Sequence, residues 1–324
     1  MKRTIAVITG GDSAEFEISL QTASLIFSSL DTENYTPFLV MLKGTDWNVK
    51  IEDRYYPIDL NDFSFSVDNK KVKFDFAYIG IHGTPGENGI LQGYLNLLNI
   101  PHSTSDVFSS ALSFDKHACN TYLKSFGYSV AKSILLKRGQ NYSTKTIEEK
   151  LGMPCFVKPN ADGSSFGISK VKKVEDLDGA IKKAFMEGKE VIIEEFIDGL
   201  EYTCGLVKTK KESIIFPITE IVPKNEFFDY ESKYDPTRMA EEITPARISE
   251  ELTLQFKNLS SEIYDVLKCK GIVRVDYMLR NDEIFILEAN TVPGMTATSF
   301  IPQQVAAMNK DLKDILSMVI ENEF

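Results

Sequence analysis

Strand-like and helix-like runs alternate through residues 1–104: IAVITGG, a helical pattern from about Ser13 to Leu30, YTPFLVML, FDFAYIGIHG, a second helical pattern from about Ile90 to Leu98, and IPHST. Such alternation predicts a parallel sheet with crossover helices, an α/β arrangement whose ligands sit at the carboxyl ends of the strands. Two glycine loops fall at such ends. The first, GGDSAEFE, lacks the spacing G-x-G-x-x-G, which argues against a nicotinamide or flavin site. A tight turn accounts for Gly10 and Gly11 but not for Glu15, which falls in the first helical turn beside free backbone N–H groups and is a candidate for holding a substrate ammonium. The second loop, IGIHGTPGENGILQG, sets Gly80, Gly83, Gly86, Gly89 and Gly93 around His82, Glu87 and Asn88. So many glycines require a close approach of backbone to something. His82 suits a structural or a catalytic role, since an ordinary histidine titrates at about 6.5.

Length and composition allow two or three domains: 324 residues, 43% hydrophobic and 26% charged. A formal charge of -11 argues against general nucleic-acid or anionic-membrane binding, leaving only a local basic cleft for a small polyanion. Cys119, Cys155, Cys204 and Cys269 are scattered without C-x-x-C spacing, so neither a disulfide framework nor a zinc knuckle is signalled. The apolar run Ile5 to Ile8 is too short for a signal-peptide core, and no segment is long enough to span a bilayer. A cytoplasmic location is expected.

Beyond Thr104 the stretch TSDVFSSALSFDKHACNTYLKSFGY reads as helical with turn residues, then comes the strand VAKSILL and a helix ending near Gly152. MPCFVKPNADGSSFGISKV follows: a strand carrying Lys158, a loop of small residues, and a return strand. Small residues leave N–H groups free to wrap phosphate oxygens. The loop joins strand to strand and lacks Gly-Lys-Ser/Thr, which sets aside the P-loop folds. In VIIEEFIDGLEYTCGLV, Glu194 and Glu195 end an apolar strand where backbone groups can meet an adenine, and Glu201 is placed to accept from a ribose. Residues 223–248 are polar, aromatic and aperiodic, the mark of a functional loop or lid.

Near the carboxyl terminus GIVRVDYML and IFILEANTVPG read as a hairpin. A two-residue loop of Asn281 and Asp282 would set Asp276 against Leu287. A three-residue loop that includes Glu283 instead sets Asp276 opposite Glu288 and Arg274 opposite Asn290, separating polar from apolar. Carboxylates about 5 Å apart repel unless a positive charge lies between them. Oxygen ligands alone favour a hard cation such as Mg2+ or Ca2+ over zinc. An exposed polar sheet face is the competing explanation.

These pieces, in this order, resemble the ATP-grasp superfamily and, within it, the D-alanine-D-alanine ligase family. The motifs are GGDSAEFEIS, HGTPGENGILQG, FDK, VKPNADGSSFGISKV, FFDYESKY, GIVRVDYML and LEANTVPGMTATS, spread over nearly the whole chain. The resemblance implies an α/β chain of three domains: an amino-terminal parallel α/β domain at 1–104, a central ATP-grasp domain at 105–193, and a carboxyl-terminal one at 194–324 with a lid at 223–248. It implies ATP with Mg2+, for which Mn2+ can substitute, and joining of two D-alanines through a D-alanyl phosphate for peptidoglycan precursor synthesis. It also implies a homodimer. By the same resemblance Lys116, Lys158 and Ser165 contact phosphate and nucleotide, Glu194 and Ile197 the adenine, and Glu201 the ribose. Asp276, Glu288 and Asn290 are the implied magnesium ligands, with Arg274 and the Gly294 backbone as oxyanion stabilisers. Glu15 and His82 are implied contacts of the first D-alanine, and Lys233, Ser299 and Phe300 of the second one's carboxylate. Tyr234 and Ser164 close the site toward Glu15. Phe16 and Tyr277 depart from the family pattern. A D-lactate or D-serine acceptor on the same scaffold, or a regulator that holds nucleotide without turnover, are the alternatives; Tyr234 and an intact Arg274 argue against them.

Overall fold

The computed structural model describes residues 2–161, 167–223 and 240–324. The first sheet has the order β4 (Arg54–Pro57), β3 (Asp46–Ile51), β2 (Tyr35–Lys43), β1 (Arg3–Gly10), β7 (Phe76–Ile79), and β5 (Ser64–Val67) pairs with β6 (Lys70–Lys73) as a separate hairpin. Strands β2, β1 and β7 are parallel, as the alternation predicts, while β3 and β4 extend the sheet antiparallel. IPHST does not make a further strand. It contributes one parallel bridge, Ala77 to His102, with Pro101 accepting from Ala77 but having no N–H to donate. The expected helices form as Phe16–Ser29 and Ile90–Leu97.

The second sheet, β10 (Ser169–Val171), β9 (Cys155–Pro159), β11 (Glu190–Glu195), β8 (Ser133–Lys137), is antiparallel throughout. The third runs β15 (Glu241–Ile243), β14 (Thr219–Val222), β12 (Leu200–Lys208), β16 (Gly271–Arg280), β17 (Glu283–Asn290), with β13 (Ser213–Ile215) against β12. Helices Val107–Phe114 and Lys116–Ser125, separated by Asp115, lie against β17, and Leu112, Cys119 and Leu123 join the core of the third sheet. One face of the first sheet, through Ile5, Val7 and Phe76, shares a core with Val207, Phe216, Ile301 and Ile315 from the carboxyl-terminal part. That shared apolar contact brings the glycine loops next to the hairpin.

The hairpin closes differently from the sequence expectation. Arg280 pairs with Glu283, so the turn is the two residues Asn281 and Asp282, both left-handed at φ 49 and 64. That is the geometry whose twist suits adjacent strands. Asp276 still pairs with Glu288 and Arg274 with Asn290, because a bulge between Asp276 and Tyr277 takes up Leu287. The extra residue shifts the frame by one. Ile286 therefore packs in the core beside Tyr277, while Glu288, two residues on, turns to the opposite face with Asp276. Strict alternation would have kept Ile286 and Glu288 together.

Tyr277 is fully buried, packs on Phe256 at 5.3 Å between ring centres and shares a 2.6 Å hydrogen bond with Ser260. That contact gives the unusual residue a satisfied place in the core.

Candidate active site

Asp276 is the centre of the hairpin's polar face and is nearly buried. Arg274 donates through Nε and Nη2 to its two oxygens, each at 2.8 Å. Asn290 donates from Nδ2 at 3.0 Å and Thr203, on β12, from its hydroxyl at 2.5 Å. Burial works against the charge of Arg274, but Asp276 foremost, then Glu288 and Glu87, drive its pKa further up. The paired guanidinium is thus fixed in a fork geometry that a lysine lacks.

The amino-terminal loops meet this face. Glu15 caps the helix Phe16–Ser29 by position, yet its side chain makes no capping bond to that helix. Two serines tie it to His82. Ser13 accepts from the Glu15 N–H at 3.2 Å and donates to the His82 carbonyl at 2.7 Å; Ser19 donates to the Glu15 carbonyl at 3.1 Å and accepts from the His82 N–H at 3.0 Å. Gly83 passes so close that a Cβ there would fall 2.6 Å from Ser13 Cβ. The His82 ring is buried, with Nε2 2.8 Å from Thr22 Oγ1. Burial, helped by the charge of Arg274, lowers its pKa to about 4 against a backbone bond with Val292, so the ring is neutral at pH 7.

Glu87 is a site residue to which the sequence, which shows it only as part of its loop, assigns no role. It is half-buried and accepts from the Gly83 N–H at 2.9 Å. Burial first, then the charge of Glu15, raises its pKa to about 8, against the Gly83 bond and Lys116. Its loop is drawn tight: a Cβ on Gly86 would lie 2.3 Å from the Ile81 carbonyl oxygen.

On the second sheet Lys158 forms a 2.6 Å ion pair with Glu194, whose other oxygen accepts from Asn120 at 3.0 Å. Burial lowers the lysine's pKa, but the charge of Glu194, its hydrogen bond and Glu288 outweigh this and leave it raised. Asn160, fully buried, links this strand to Lys116. Its carbonyl accepts from Lys116 N–H at 3.1 Å, its Oδ1 from His117 N–H at 2.9 Å, and its Nδ2 donates to Asp115 at 2.9 Å. No sequence signal distinguishes Asn160, Asn120 or Thr203 from ordinary polar residues. Ile197 lies in a small apolar cluster with Ala131, Phe285 and Met278 where the second and third sheets meet, and Glu201 stands near it on β12, opposite Met278.

The chain after β17 turns at Gly294, where a Cβ would meet Ser299 Oγ at 2.9 Å, and enters the helix Phe300–Ala307. The Ser299 hydroxyl accepts from Thr296 N–H at 2.9 Å and makes no capping bond to the helix it precedes. Arg274 lies over the Phe300 ring at 5.4 Å. That contact brings the turn beside the hairpin. Ser164, Ser165, Lys233 and Tyr234 lie outside the described residues, as does most of the expected lid.

Asp276, Glu288 and Asn290 offer a hard cation two carboxylates and an amide, and the bond from Asn290 Nδ2 to Asp276 commits the nitrogen, keeping the amide oxygen as the ligand atom. Glu288 and the Asn290 amide oxygen suit magnesium, while the acceptor positions of Asp276 are engaged here by Arg274, Asn290 and Thr203. Among the described residues no cluster of three His, Cys, Asp or Glu suits a metal, and no helix is long and apolar enough to cross a membrane.

The family profile described as D-ala D-ala ligase C-terminus matches residues 122–321, and that described as D-ala D-ala ligase N-terminus matches 4–105. A D-alanine--D-alanine ligase of Bacteroides fragilis is 53% identical over the full length of both chains, and one of Phocaeicola vulgatus is 52% identical over the same span. Among solved structures, the VanG D-Ala:D-Ser ligase of Enterococcus faecalis aligns with a TM-score of 0.89 at 32% identity, covering all of both chains. The Bacillus anthracis D-alanine--D-alanine ligase complexed with ATP aligns at 0.79 with 28% identity, over 99% of this chain and 96% of that one.

Proposed function

The chain belongs to the D-alanine-D-alanine ligase family of the ATP-grasp fold, and we propose from this that its hairpin and glycine loops join two D-alanines at the expense of ATP. The product serves peptidoglycan synthesis. The observation that carries the site reading is the meeting of charges from distant segments: Glu15, Lys116 and Glu288 all act on Glu87, while Glu288 and Glu87 both act on Arg274.

A carboxylate is a poor electrophile, so the first D-alanine is phosphorylated to a D-alanyl phosphate before the second attacks. In our reading Glu15 holds the first ammonium, and neutral His82 shapes the wall beside it. Lys116 and Lys158 hold phosphate oxygens, with Ser165 from the small-residue loop. Glu194 and Ile197, at the strand end, take the adenine, Glu194 also orienting Lys158; Glu201 takes the ribose. Asp276, Glu288 and Asn290 would hold Mg2+, or Mn2+ in its place. That cation neutralises charge on the transferring phosphoryl group when bound. Arg274 and the Gly294 N–H face the oxygen that becomes negative in the tetrahedral state, the contribution that dominates such transfers. Ser299 and Phe300 open a helix whose N–H groups suit the second D-alanine's carboxylate, together with Lys233. Tyr234 and Ser164 close toward Glu15 and exclude water from the acyl phosphate. The same reading divides the chain into domains at 1–104, 105–193 and 194–324, places it in the cytoplasm and makes it a homodimer.

The test is release of phosphate and ADP with D-alanine against L-alanine, D-lactate and no amino acid. One ADP per dipeptide with D-alanine is expected. Turnover indifferent to D-alanine, or equal with L-alanine, overturns the reading.

A further inference from the structure

We propose that Glu242 and Gln303 form a positioning pair that fixes the helix turn receiving the second D-alanine, an inference that rests on the ligase reading above. Gln303 lies in the helix Phe300–Ala307, one turn beyond Ser299 and Phe300. Its Nε2 donates to Glu242 Oε2 at 2.7 Å and to the Thr298 carbonyl at 2.8 Å. One amide therefore joins β15 to the turn just before the helix. Both side chains are half-buried, and Glu242 is close enough to Arg274 for that charge to act on it.

The neighbouring Gln304 shows why a second tie is needed. It is fully buried, accepts from Gly205 N–H at 3.0 Å, and donates to the Thr203 carbonyl at 3.2 Å and to the Thr219 hydroxyl at 3.0 Å. Gly205 lets the helix come down onto the sheet: a Cβ there would fall 2.4 Å from Ile301 Cδ1. Gln304 and Gly205 set the depth of the helix. Consecutive helical residues point roughly 100° apart, so Gln303 reaches sideways where Gln304 reaches down. Ile301 and Val305 in the core and Gln304 on the sheet hold the inner face of the helix, and Gln303 adds a lateral tie at its first turn. β15 is itself a firm anchor, because Glu242 pairs with Ile221 and the Thr244 hydroxyl meets that of Thr219 at 2.7 Å. The arrangement also keeps charge in order, since the amide of Gln303 stands between Glu242 and a turn that must accept an anion. A carboxylate bound by helix N–H groups tolerates only about 0.5 Å of misplacement.

The experiment uses the full-length enzyme with ATP and magnesium, following initial rates over a D-alanine range wide enough to resolve its two saturation constants. Glu242→Leu removes the acceptor oxygen. It is expected to raise the constant for the second D-alanine about tenfold, the size set by losing a hydrogen bond to a charged group, with the first constant and that for ATP within twofold. Glu242→Gln keeps an oxygen for Gln303 and is expected to stay within about threefold of wild type. Gln303→Leu should reproduce the signature of Glu242→Leu from the other side, and the double variant should be no worse than either single one. An unchanged second constant in both leucine variants overturns the proposal. So does an equal rise in the constants for ATP and both D-alanines, which marks a general packing defect. Absence of any D-alanine-dependent turnover in the wild type would instead remove the ligase reading itself.

Discussion

The hairpin β16–β17 and the loop Ile81–Gly89 both bring carboxylates to one cleft and surround them in opposite ways. Asp276 on the hairpin has a forked guanidinium, an amide and a hydroxyl directed at it. Glu87 in the loop has one backbone N–H at 2.9 Å and the charge of Glu15 nearby, and its pKa climbs to about 8. Paired strands supply side-chain partners at fixed intervals, whereas a glycine loop supplies mainly its own backbone. The same functional group is consequently held in a charged network in one place and has its pKa pushed up by burial and by Glu15 in the other, against the Gly83 N–H and Lys116.

The strongest challenge to that contrast is removal of the fork. Arg274→Lys keeps a positive charge but cannot bind both oxygens of Asp276, and kcat is expected to fall about a hundredfold to a thousandfold, as for loss of an oxyanion donor. A lysine variant with wild-type kcat would show that charge alone matters on the hairpin. Next is Glu288→Gln, expected to cut turnover about a hundredfold and to move the magnesium concentration needed for half-maximal rate upward. If neither changes, Glu288 is not a metal ligand.

In the loop, a backbone device should fail through folding before it fails through chemistry. Gly86→Ala drives a Cβ toward the Ile81 carbonyl and is expected to cost about 1–3 kcal/mol in a denaturant melt. An unaltered midpoint would mean that the loop yields freely. The smallest effect belongs to Glu87→Gln. The folded carboxyl keeps its proton above the ordinary value of 4.5, so its stabilisation is full below that pH and is lost as pH rises through about 8. Wild-type stability should therefore decline more steeply than that of Glu87→Gln between about pH 5 and pH 9. Parallel profiles would place Glu87 among ordinary carboxylates.

Much of the architecture was legible because periodicity is local. The parallel strands β1, β2 and β7, the helix Ile90–Leu97 and the two strands of the last hairpin follow from which residues are apolar at which interval. The antiparallel extension through β3 and β4 was not legible, since short strands of mixed polarity such as RYYP carry no period.

By itself the sequence determined the chemistry on offer: acidic and amide residues at the end of one strand, lysines beside small-residue loops, glycines where backbone must pass close. It also determined the membership of the chain, because the motifs keep their order. Only the tertiary structure decided how those groups face one another. Strict alternation obtains the pairing of Asp276 with Glu288 from a three-residue loop; the fold obtains it from a two-residue turn and a bulge at Leu287. A bulge has no composition of its own and forms where core packing of Ile286 and partners for Glu288 lie on opposite faces. In the same way Asn160, Thr203 and the Glu242–Gln303 pair read as plain polar residues until elements far apart in the chain were packed together. Hydrogen bonds between distant segments depend on where the hydrophobic cores bring those segments, and no local pattern encodes that.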